Sequence, residues 1–286
     1  MSENRTVLVT GATGAQGGAV ARELLKLGYT VKAMTRKTDS EQAKELAALG
    51  AEIVFGDLDN AESLENALNG AWGTFAVQNT WEAGAEQEEA QGKRFAEIAK
   101  KCGIKHFVYT SVSSAQHKTG IPHFDNKWRI EETIRGLGFD SFTIIRPVFF
   151  MNNFLSAWFK PGIDTGNLYM SIKPTTPLQM VAVSDIGKYG AMAFDNYKAL
   201  NGKAIDFAGD SLTMPQVAEI ISKFAGKPVQ HIQPPIEDIR KMSMDYAIML
   251  EWFDSTGYSV NIDGVAQETG IAPTKFEDFA ANSNWA

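Results

Sequence analysis

The sequence predicts an α/β protein whose first half forms a doubly wound parallel sheet. Short apolar runs rich in β-branched residues alternate with helical patterns from residue 5 to about residue 146. The connections between these segments are short, which is typical of parallel sheets covered by helices on both faces. The first apolar run passes directly into glycines spaced three residues apart, as expected for a strand, a tight turn and a following helix.

The predicted elements follow one another in a regular order. Strands are predicted over 5–10, 30–35, 51–55, 72–78, 105–111 and 140–146, and helices over 15–27, 40–49, 60–69, 85–102 and 123–137. After residue 147 the pattern loosens, with helices near 184–196, 213–225 and 235–256 and a strand near 203–208. Ligands of open parallel sheets bind beyond the carboxyl ends of the strands, so functional side chains are expected there.

The glycines after the first strand predict a phosphate-binding turn. Gly11 permits a sharp turn, Gly14 lets the backbone approach a pyrophosphate, and Gly17 lets the helix pack close to the sheet. The N–H groups that open the helix would face the anion. We therefore expect a dinucleotide-binding Rossmann domain over 1–150 and a smaller substrate- or partner-binding region over 151–286. The expected contacts from this loop are Gly11, Thr13, Gly14, Ala15, Gln16 and Gly17.

The end of the second strand indicates which dinucleotide is bound. NAD-selective sites place an acid about 20 residues after the glycine loop, where it binds the adenosine ribose. This chain has Arg36 and Lys37 there instead. A guanidinium beside an ammonium suits the 2′-phosphate of NADP, so NADPH is expected to be preferred over NADH. The alternative is a solvated basic pair at a strand end.

The glycine spacing resembles that of the short-chain dehydrogenase/reductase superfamily, in its extended or atypical branches. In that superfamily an Asp followed by an apolar residue after the third strand holds and covers the adenine. Asp57 and Leu58 match these two positions. The alternative for Asp57 is that it caps the helix beginning near Asn60.

The predicted helix over 123–137 carries the candidate catalytic residues. Most reductases of this superfamily have Tyr-x-x-x-Lys here, with both side chains on one helix face. Lys127 matches the lysine, but His123 stands at the position of the tyrosine. An imidazole can donate a proton near neutral pH, whereas a His directly after Pro122 can also be a residue of the helix start without chemistry. For Lys127 the alternative is a solvated helix lysine.

Three segments together resemble the NmrA-like proteins, an atypical short-chain dehydrogenase group. They are the glycine loop, Pro122–Lys127 followed by Ile130–Glu132, and Arg146–Phe154. The group includes a fungal nitrogen-metabolite regulator, the human redox sensor HSCARG and bacterial quinone reductases. The resemblance implies that Lys127 binds the nicotinamide ribose. It also implies that Gln78 and Asn79 lie along the cofactor, and that Pro147, Phe149 and Phe150 frame the nicotinamide.

Composition excludes several other classes of function. The net charge of −7 and the absence of a basic cluster argue against nucleic acid as a ligand. Cys102 is the single cysteine, so no internal disulfide forms, and the first strand begins too early for a signal peptide. We expect a cytoplasmic protein that does not cross a membrane. The four histidines show no metal-ligand spacing.

These observations predict an NADPH-dependent oxidoreductase. Aromatic residues, among them Phe149 and Phe150, are expected around the pocket and favour a flat apolar substrate, either quinone-like or a carbonyl compound. The resemblance leaves a second hypothesis open, a non-catalytic regulator that senses NADP(H) and acts through protein partners. The missing tyrosine weakens ordinary carbonyl reduction without excluding quinone reduction.

Overall fold

The computed structural model describes residues 5–285. The strands are β1 Thr6–Val9, β2 Thr30–Thr35, β3 Glu52–Phe55, β4 Gly73–Ala76, β5 His106–Thr110, β6 Ser141–Pro147, β7 Phe149–Phe150, β8 Asn167–Tyr169, β9 Pro177–Val181, β10 Ala204–Phe207, β11 Asp210–Thr213 and β12 Gln230–Ile232. The helices are α1 Ala15–Lys26, α2 Glu41–Ala48, α3 Ala61–Leu68, α4 Thr80–Ala83, α5 Ala85–Lys101, α6 Pro122–Gly136, α7 Lys160–Asp164, α8 Val183–Asp195, α9 Met214–Ala225, α10 Ile236–Met242, α11 Met244–Ser255, α12 Ile262–Thr269 and α13 Phe276–Ala281.

The central sheet has seven strands in the order β10-β6-β5-β4-β1-β2-β3. All pairs from β6 to β3 are parallel, and Val7 of β1 lies opposite both Val31 of β2 and Gly73 of β4. The strand order reverses between β1 and β4, which is the switch point where ligands bind in doubly wound sheets. The predicted α/β class with a doubly wound, mostly parallel sheet is confirmed.

The sheet has a packed helical layer formed by α3, α5 and α6. Its core contains Leu8 of β1, Phe107 and Tyr109 of β5, and Phe95 of α5, all of them buried. Gly92 of α5 lets α5 and α6 pack closely, because a Cβ added there would lie 2.6 Å from Cδ1 of Ile130 on α6. Val7 and Val9 are also buried, and strand alternation points them to the opposite face.

That opposite face is covered by α1 and by the later part of α8. A Cβ added at Gly187 would lie 2.9 Å from the carbonyl oxygen of Ala19, so the two helices pack with their backbones close together. His106 bonds Ser141 Oγ through Nδ1 and the carbonyl oxygen of Ala193 through Nε2, each at 3.0 Å. Burial lowers the pKa of His106 to about 4, so this imidazole is neutral and structural.

The chain divides into two compact units. Within the described residues, unit 1 comprises 5–116, 123–146 and 186–205, and unit 2 comprises 117–122, 147–185 and 206–285. Unit 2 contains a three-stranded sheet, β11-β9-β7, and a pair, β12-β8. Its core includes a cluster of phenylalanine rings around Phe149.

The structure differs from the prediction at α4 and at α10–α11, and it also contains elements that were not predicted: β7, β8, β9, β11, β12, α7, α12 and α13. The single turn α4 follows β4 where a loop was expected, because Asn79 caps it by accepting a hydrogen bond from the Trp81 N–H at 3.1 Å. The helix predicted over 235–256 is divided into α10 and α11, because Ser243 ends one and caps the other through the Tyr246 N–H. Within residues 5–285, no helix combines the length and apolar character needed to cross a bilayer.

Candidate functional site

The glycine loop joins β1 to α1 at the switch point of the sheet. Gly11 has a φ of +57°, the left-handed region that favours glycine, and the N–H of Gly14 donates to its carbonyl oxygen at 2.9 Å. Gly14 is the N-cap of α1 and provides no side-chain acceptor, and the first turn of α1 contains no acid. The positive end of this helix is therefore not neutralised by the protein's own first turn, which suits an anionic ligand.

Gly17 has a different role from Gly14. A Cβ added at Gly17 would lie 2.4 Å from the carbonyl oxygen of Gly11 and 2.5 Å from that of Thr10. A Cβ added at Gly14 would meet only the Gly11 oxygen, at 3.3 Å. Gly17 thus allows α1 to pack against the loop, whereas Gly14 leaves the other side of the backbone open. Gln16 bonds across to β5, accepting from Thr110 Oγ1 at 2.8 Å.

Gln78 follows β4, beside the end of β1. The hydroxyl of Thr10 joins the two strand ends by donating to the Val77 carbonyl at 3.0 Å and accepting from the Val77 N–H at 2.8 Å. The side chain of Gln78 is only 5% exposed, and neither its amide oxygen nor its amide nitrogen has a hydrogen-bond partner within the described structure. Buried amides are rarely left unpaired, so this one is suited to a ligand.

The end of β2 brings a base and an acid together. Arg36 forms an ion pair with Glu82 of α4, and both side chains are about half exposed, at 57% and 54%. Thr35 directly before it is buried, and its hydroxyl lies 3.3 Å from that of Thr13 in the glycine loop. Lys37 is exposed, and its backbone N–H donates to Thr35 Oγ1 at 3.1 Å.

Asp57 follows β3 at the same edge of the sheet. Its Oδ1 accepts the backbone N–H of Asp59 at 3.0 Å, a local turn that fixes the carboxylate. The alternative that Asp57 caps the next helix is wrong, because Asn60 is the N-cap of α3 and accepts the Ser63 N–H at 3.0 Å. Leu58 is half-buried and packs against the core under α3 and α5.

Lys127 lies on α6 and is paired with a buried acid. Its Nζ donates to Oε1 of Glu88 on α5 at 2.6 Å. The side chain of Glu88 has no exposed surface, whereas that of Lys127 is 13% exposed. Oε2 of Glu88 accepts hydrogen bonds from Thr80 Oγ1 and from Asn126 Nδ2, the latter at 2.9 Å. The carboxylate therefore has a partner on each oxygen.

These contacts hold Glu88 in its charged form. Burial alone would raise the pKa of Glu88. The charge of Lys127 and the hydrogen bonds outweigh burial, so the pKa lies below the usual range for a glutamate. Because the ammonium has three donors and Glu88 takes one, two remain for other acceptors.

His123 lies in the first turn of α6 and is 7% exposed. Its ring centroid is 5.3 Å from that of Trp81 on α4 and 4.8 Å from that of Phe124, which it meets edge-on. Two aromatic rings thus orient this imidazole. Phe124 and Phe75 are 1% and 0% exposed and belong to the core of unit 1.

The single turn α4 connects the predicted site residues in unit 1. Thr80 donates to Glu88, the partner of Lys127; Trp81 packs on His123; and Glu82 pairs with Arg36. The sequence prediction missed Thr80, Glu82 and Glu88. For Glu88 the sequence did contain a signal. The helical period of α5 places it on the same face as Gln91, Gly92 and Phe95, which are buried.

In unit 2, the residues expected near the nicotinamide lie on or beside β7. Pro147 and Phe149 are buried, and Phe150 is half-buried. The ring of Phe149 packs within 6.4 Å, centroid to centroid, of Phe154, Phe159 and Phe253. Among residues 5–285, no group of His, Cys, Asp or Glu side chains could hold a metal ion.

The fold is Rossmann-like, and the chain belongs to the NmrA-like family, whose family model matches residues 3–280. An NmrA-like family domain-containing protein of Dictyostelium discoideum is 31% identical over 304 aligned positions, covering 99% of each chain. The NmrA-like family domain-containing oxidoreductase FrzB of Cladobotryum is 37% identical over 161 positions. That match covers 52% of this chain and about half, 48%, of FrzB.

Solved structures share the fold at lower sequence identity. Triphenylmethane reductase of Citrobacter aligns with a TM-score of 0.81 at 21% identity, covering 98% of this chain and 100% of that one. NmrA, a negative transcriptional regulator solved in complex with NADP, aligns with a TM-score of 0.80 at 21% identity, covering 98% and 95%. The NADPH-dependent quinone oxidoreductase QOR2 of Escherichia coli gives a TM-score of 0.78 at 20% identity, covering 96% and 98%.

Proposed function

We propose that unit 1 binds NADP(H) and that the protein is an NADPH-dependent oxidoreductase acting on a small quinone-like or carbonyl substrate. The buried, unpartnered amide of Gln78 carries this proposal. It follows β4 at the switch point, beside the uncapped start of α1. A buried amide without a partner costs free energy, which a polar ligand at this edge would recover.

Under this proposal, each predicted residue contacts a particular part of the dinucleotide. The loop from Gly11 to Gly17 and the first turn of α1 receive the pyrophosphate, and Arg36 with Lys37 receives the 2′-phosphate. Asp57 and Leu58 hold and cover the adenine. Gln78 and Asn79 bond along the dinucleotide, and Pro147, Phe149 and Phe150 frame the nicotinamide. When bound, NADPH supplies the hydride.

Lys127 and His123 complete the proposed chemistry. The ammonium of Lys127 is fixed by Glu88 and has two donors left, which suits the hydroxyls of a ribose. The imidazole of His123, oriented by Trp81 and Phe124, stands four residues earlier on the same face of α6 and donates the proton to the substrate oxygen. This arrangement replaces the tyrosine of most reductases in the superfamily.

The names and ligands of related proteins support the proposal. FrzB is called an oxidoreductase, a triphenylmethane reductase structure contains NADP(H), and QOR2 is an NADPH-dependent quinone oxidoreductase. Quinones are flat and largely apolar, which agrees with the small apolar or aromatic substrate expected here.

The proposal is tested by replacing Gln78 with Leu, which removes the unpaired amide and keeps the side-chain size. We expect calorimetry to show NADPH binding at least tenfold weaker, with a free energy of unfolding equal to or above that of the wild type. Gln42→Leu, on the exposed face of α2, is the matched control and should change neither affinity nor stability. NADPH oxidation by the wild type against a panel of quinones and carbonyl compounds tests the reaction.

The second candidate function is an NADP(H) sensor that acts through a protein partner. The contacts of α4 favour it, because one short element touches Arg36 and His123 and reaches Lys127 through Glu88. A sensor would show no turnover across the panel, together with a change in protease sensitivity when NADPH is added. Turnover with any acceptor would show that sensing is not the only function of the protein.

A further inference from the structure

The ion pair between Arg36 and Glu82 places opposite charges at the end of β2. The two residues are 46 positions apart, so this acid comes to the strand end from α4. The charges of Asp57 and Asp59 also act on Arg36. On the basic side, the ammonium of Lys37 has no ion pair within residues 5–285. The basic pair predicted from sequence is thus partly neutralised by neighbouring carboxylates.

A carboxylate at this strand end has a defined use in dinucleotide sites. In NAD-selective proteins an acid here accepts hydrogen bonds from the ribose hydroxyls of the adenosine. This chain has Arg36 in the place of that acid, yet Glu82 brings a carboxylate to the guanidinium from a different element. Resting on the proposed nucleotide binding, we propose that Glu82 is a specificity-determining residue that favours NADH and opposes NADPH.

The opposition to NADPH is a competition for Arg36. The 2′-phosphate and the Glu82 carboxylate are both anions that bind a guanidinium, and they cannot share it without repelling each other. NADPH must therefore either displace Glu82 from Arg36 or bring its 2′-phosphate close to the Glu82 charge. Since the pair is half exposed, its replacement costs a modest part of the binding affinity.

NADH does not compete with Glu82 for Arg36. Its adenosine ribose has a hydroxyl where NADPH has a phosphate, so the pair of Arg36 and Glu82 is preserved. A carboxylate has two oxygens, and Arg36 occupies Oε1 of Glu82, which leaves Oε2 to accept a ribose hydroxyl. The site then uses Arg36 and Lys37 for one nucleotide and Glu82 for the other, and the preference for NADPH is smaller than the basic pair alone would give.

The test is Glu82→Gln, with NADPH and NADH dissociation constants measured by calorimetry at one fixed salt concentration. We expect NADPH to bind about three- to tenfold more tightly and NADH about three- to tenfold more weakly, so the ratio of the two constants shifts by about tenfold or more. Glu86→Gln is the matched control. It removes the same charge from an exposed residue four positions away, in the first turn of α5, and should leave the ratio unchanged.

The outcomes separate this inference from the function on which it rests. If both nucleotides bind the wild type and Glu82→Gln leaves the ratio unchanged, or shifts it no more than Glu86→Gln does, the role of Glu82 is overturned and nucleotide binding stands. If neither nucleotide binds the wild type, the proposed function is overturned and this inference falls with it.

Discussion

The ammonium of Lys127 and the carboxylate of Glu88 lie 2.6 Å apart, and the side chain of Glu88 has no exposed surface. The lysine was predicted from its motif, whereas its partner lies 39 residues earlier on another helix. The pair fixes the position of Nζ, because Glu88 is itself held by Thr80 and Asn126. Lys127 is therefore a pre-oriented donor and differs from a solvated helix lysine.

Replacing Glu88 with Gln is expected to lower the free energy of unfolding at pH 7 by about 3 kcal/mol, because the change leaves a largely buried ammonium without its counter-ion. The pKa of Glu88 lies below the ordinary value of 4.5, so its contribution is complete above that value and is lost as the pH falls through the folded-state pKa. Urea denaturation of both proteins at pH 7 and pH 3 measures this. The stability difference should be smaller at pH 3, and an equal difference at both pH values would contradict the charged pair.

Substitutions at Gly14 and Gly17 are expected to have different effects, one on NADPH binding and the other on stability. Gly17→Ala should lower the free energy of unfolding by about 1–3 kcal/mol, because the new Cβ would lie 2.4 Å from the Gly11 carbonyl oxygen. Gly14→Val should remain folded and lose NADPH binding, because its side chain points into the space proposed for the pyrophosphate. Calorimetric unfolding and NADPH titration of both variants check this contrast. Unchanged NADPH affinity in Gly14→Val would remove the loop from the proposed site.

Arg36→Ala is expected to weaken NADPH binding by about 10- to 150-fold, because one charge-assisted hydrogen bond to the 2′-phosphate is worth roughly 1.5–3 kcal/mol. NADH has no such phosphate, and its affinity should change little. Titration with both nucleotides measures the two effects, and Arg22→Ala, which removes a partly exposed arginine on α1, provides the control. Equal losses for NADPH and NADH would remove the argument for NADP binding at this strand end.

His123→Phe and Lys127→Ala distinguish an enzyme from a sensor. In an enzyme, His123→Phe should lower kcat and spare NADPH affinity, because phenylalanine retains the packing on Trp81 but cannot donate a proton. Lys127→Ala should lower kcat and weaken NADPH binding, because the nicotinamide loses its alignment. Steady-state kinetics with an accepted quinone and NADPH titrations measure both. An unchanged kcat in His123→Phe would make that histidine structural.

The sequence was most informative where the determinants are local. The strand, the Gly11 turn and the start of α1 are contiguous, so their pattern predicted these three elements in the right order. The break between α10 and α11 was missed although Ser243 is a recognisable N-cap. Apolar residues on both sides of Ser243 were interpreted as one continuous helix, so its capping role was not recognised.

The partners of the site residues could not be predicted in the same way. Glu82 and Glu88 reach Arg36 and Lys127 across 46 and 39 positions, and only the packing of α4 and α5 brings them together. Glu88 also stands among other acids, which favours a solvated face. The helical period that places it beside buried Phe95 was the available contrary signal.

The return of residues 186–205 to unit 1 has a consequence for the synthesis and truncation of this protein. His106 at the foot of β5 bonds the carbonyl oxygen of Ala193, and the backbone of α1 at Ala19 is covered by Gly187. When residues 1–150 have left the ribosome, the glycine loop and strands β1 to β6 are available to fold. Helix α8, which covers the same face of the sheet as α1, is not yet available. Stable folding of the nucleotide-binding half must then wait for about fifty further residues, and a fragment ending at residue 150 will expose apolar surface and aggregate.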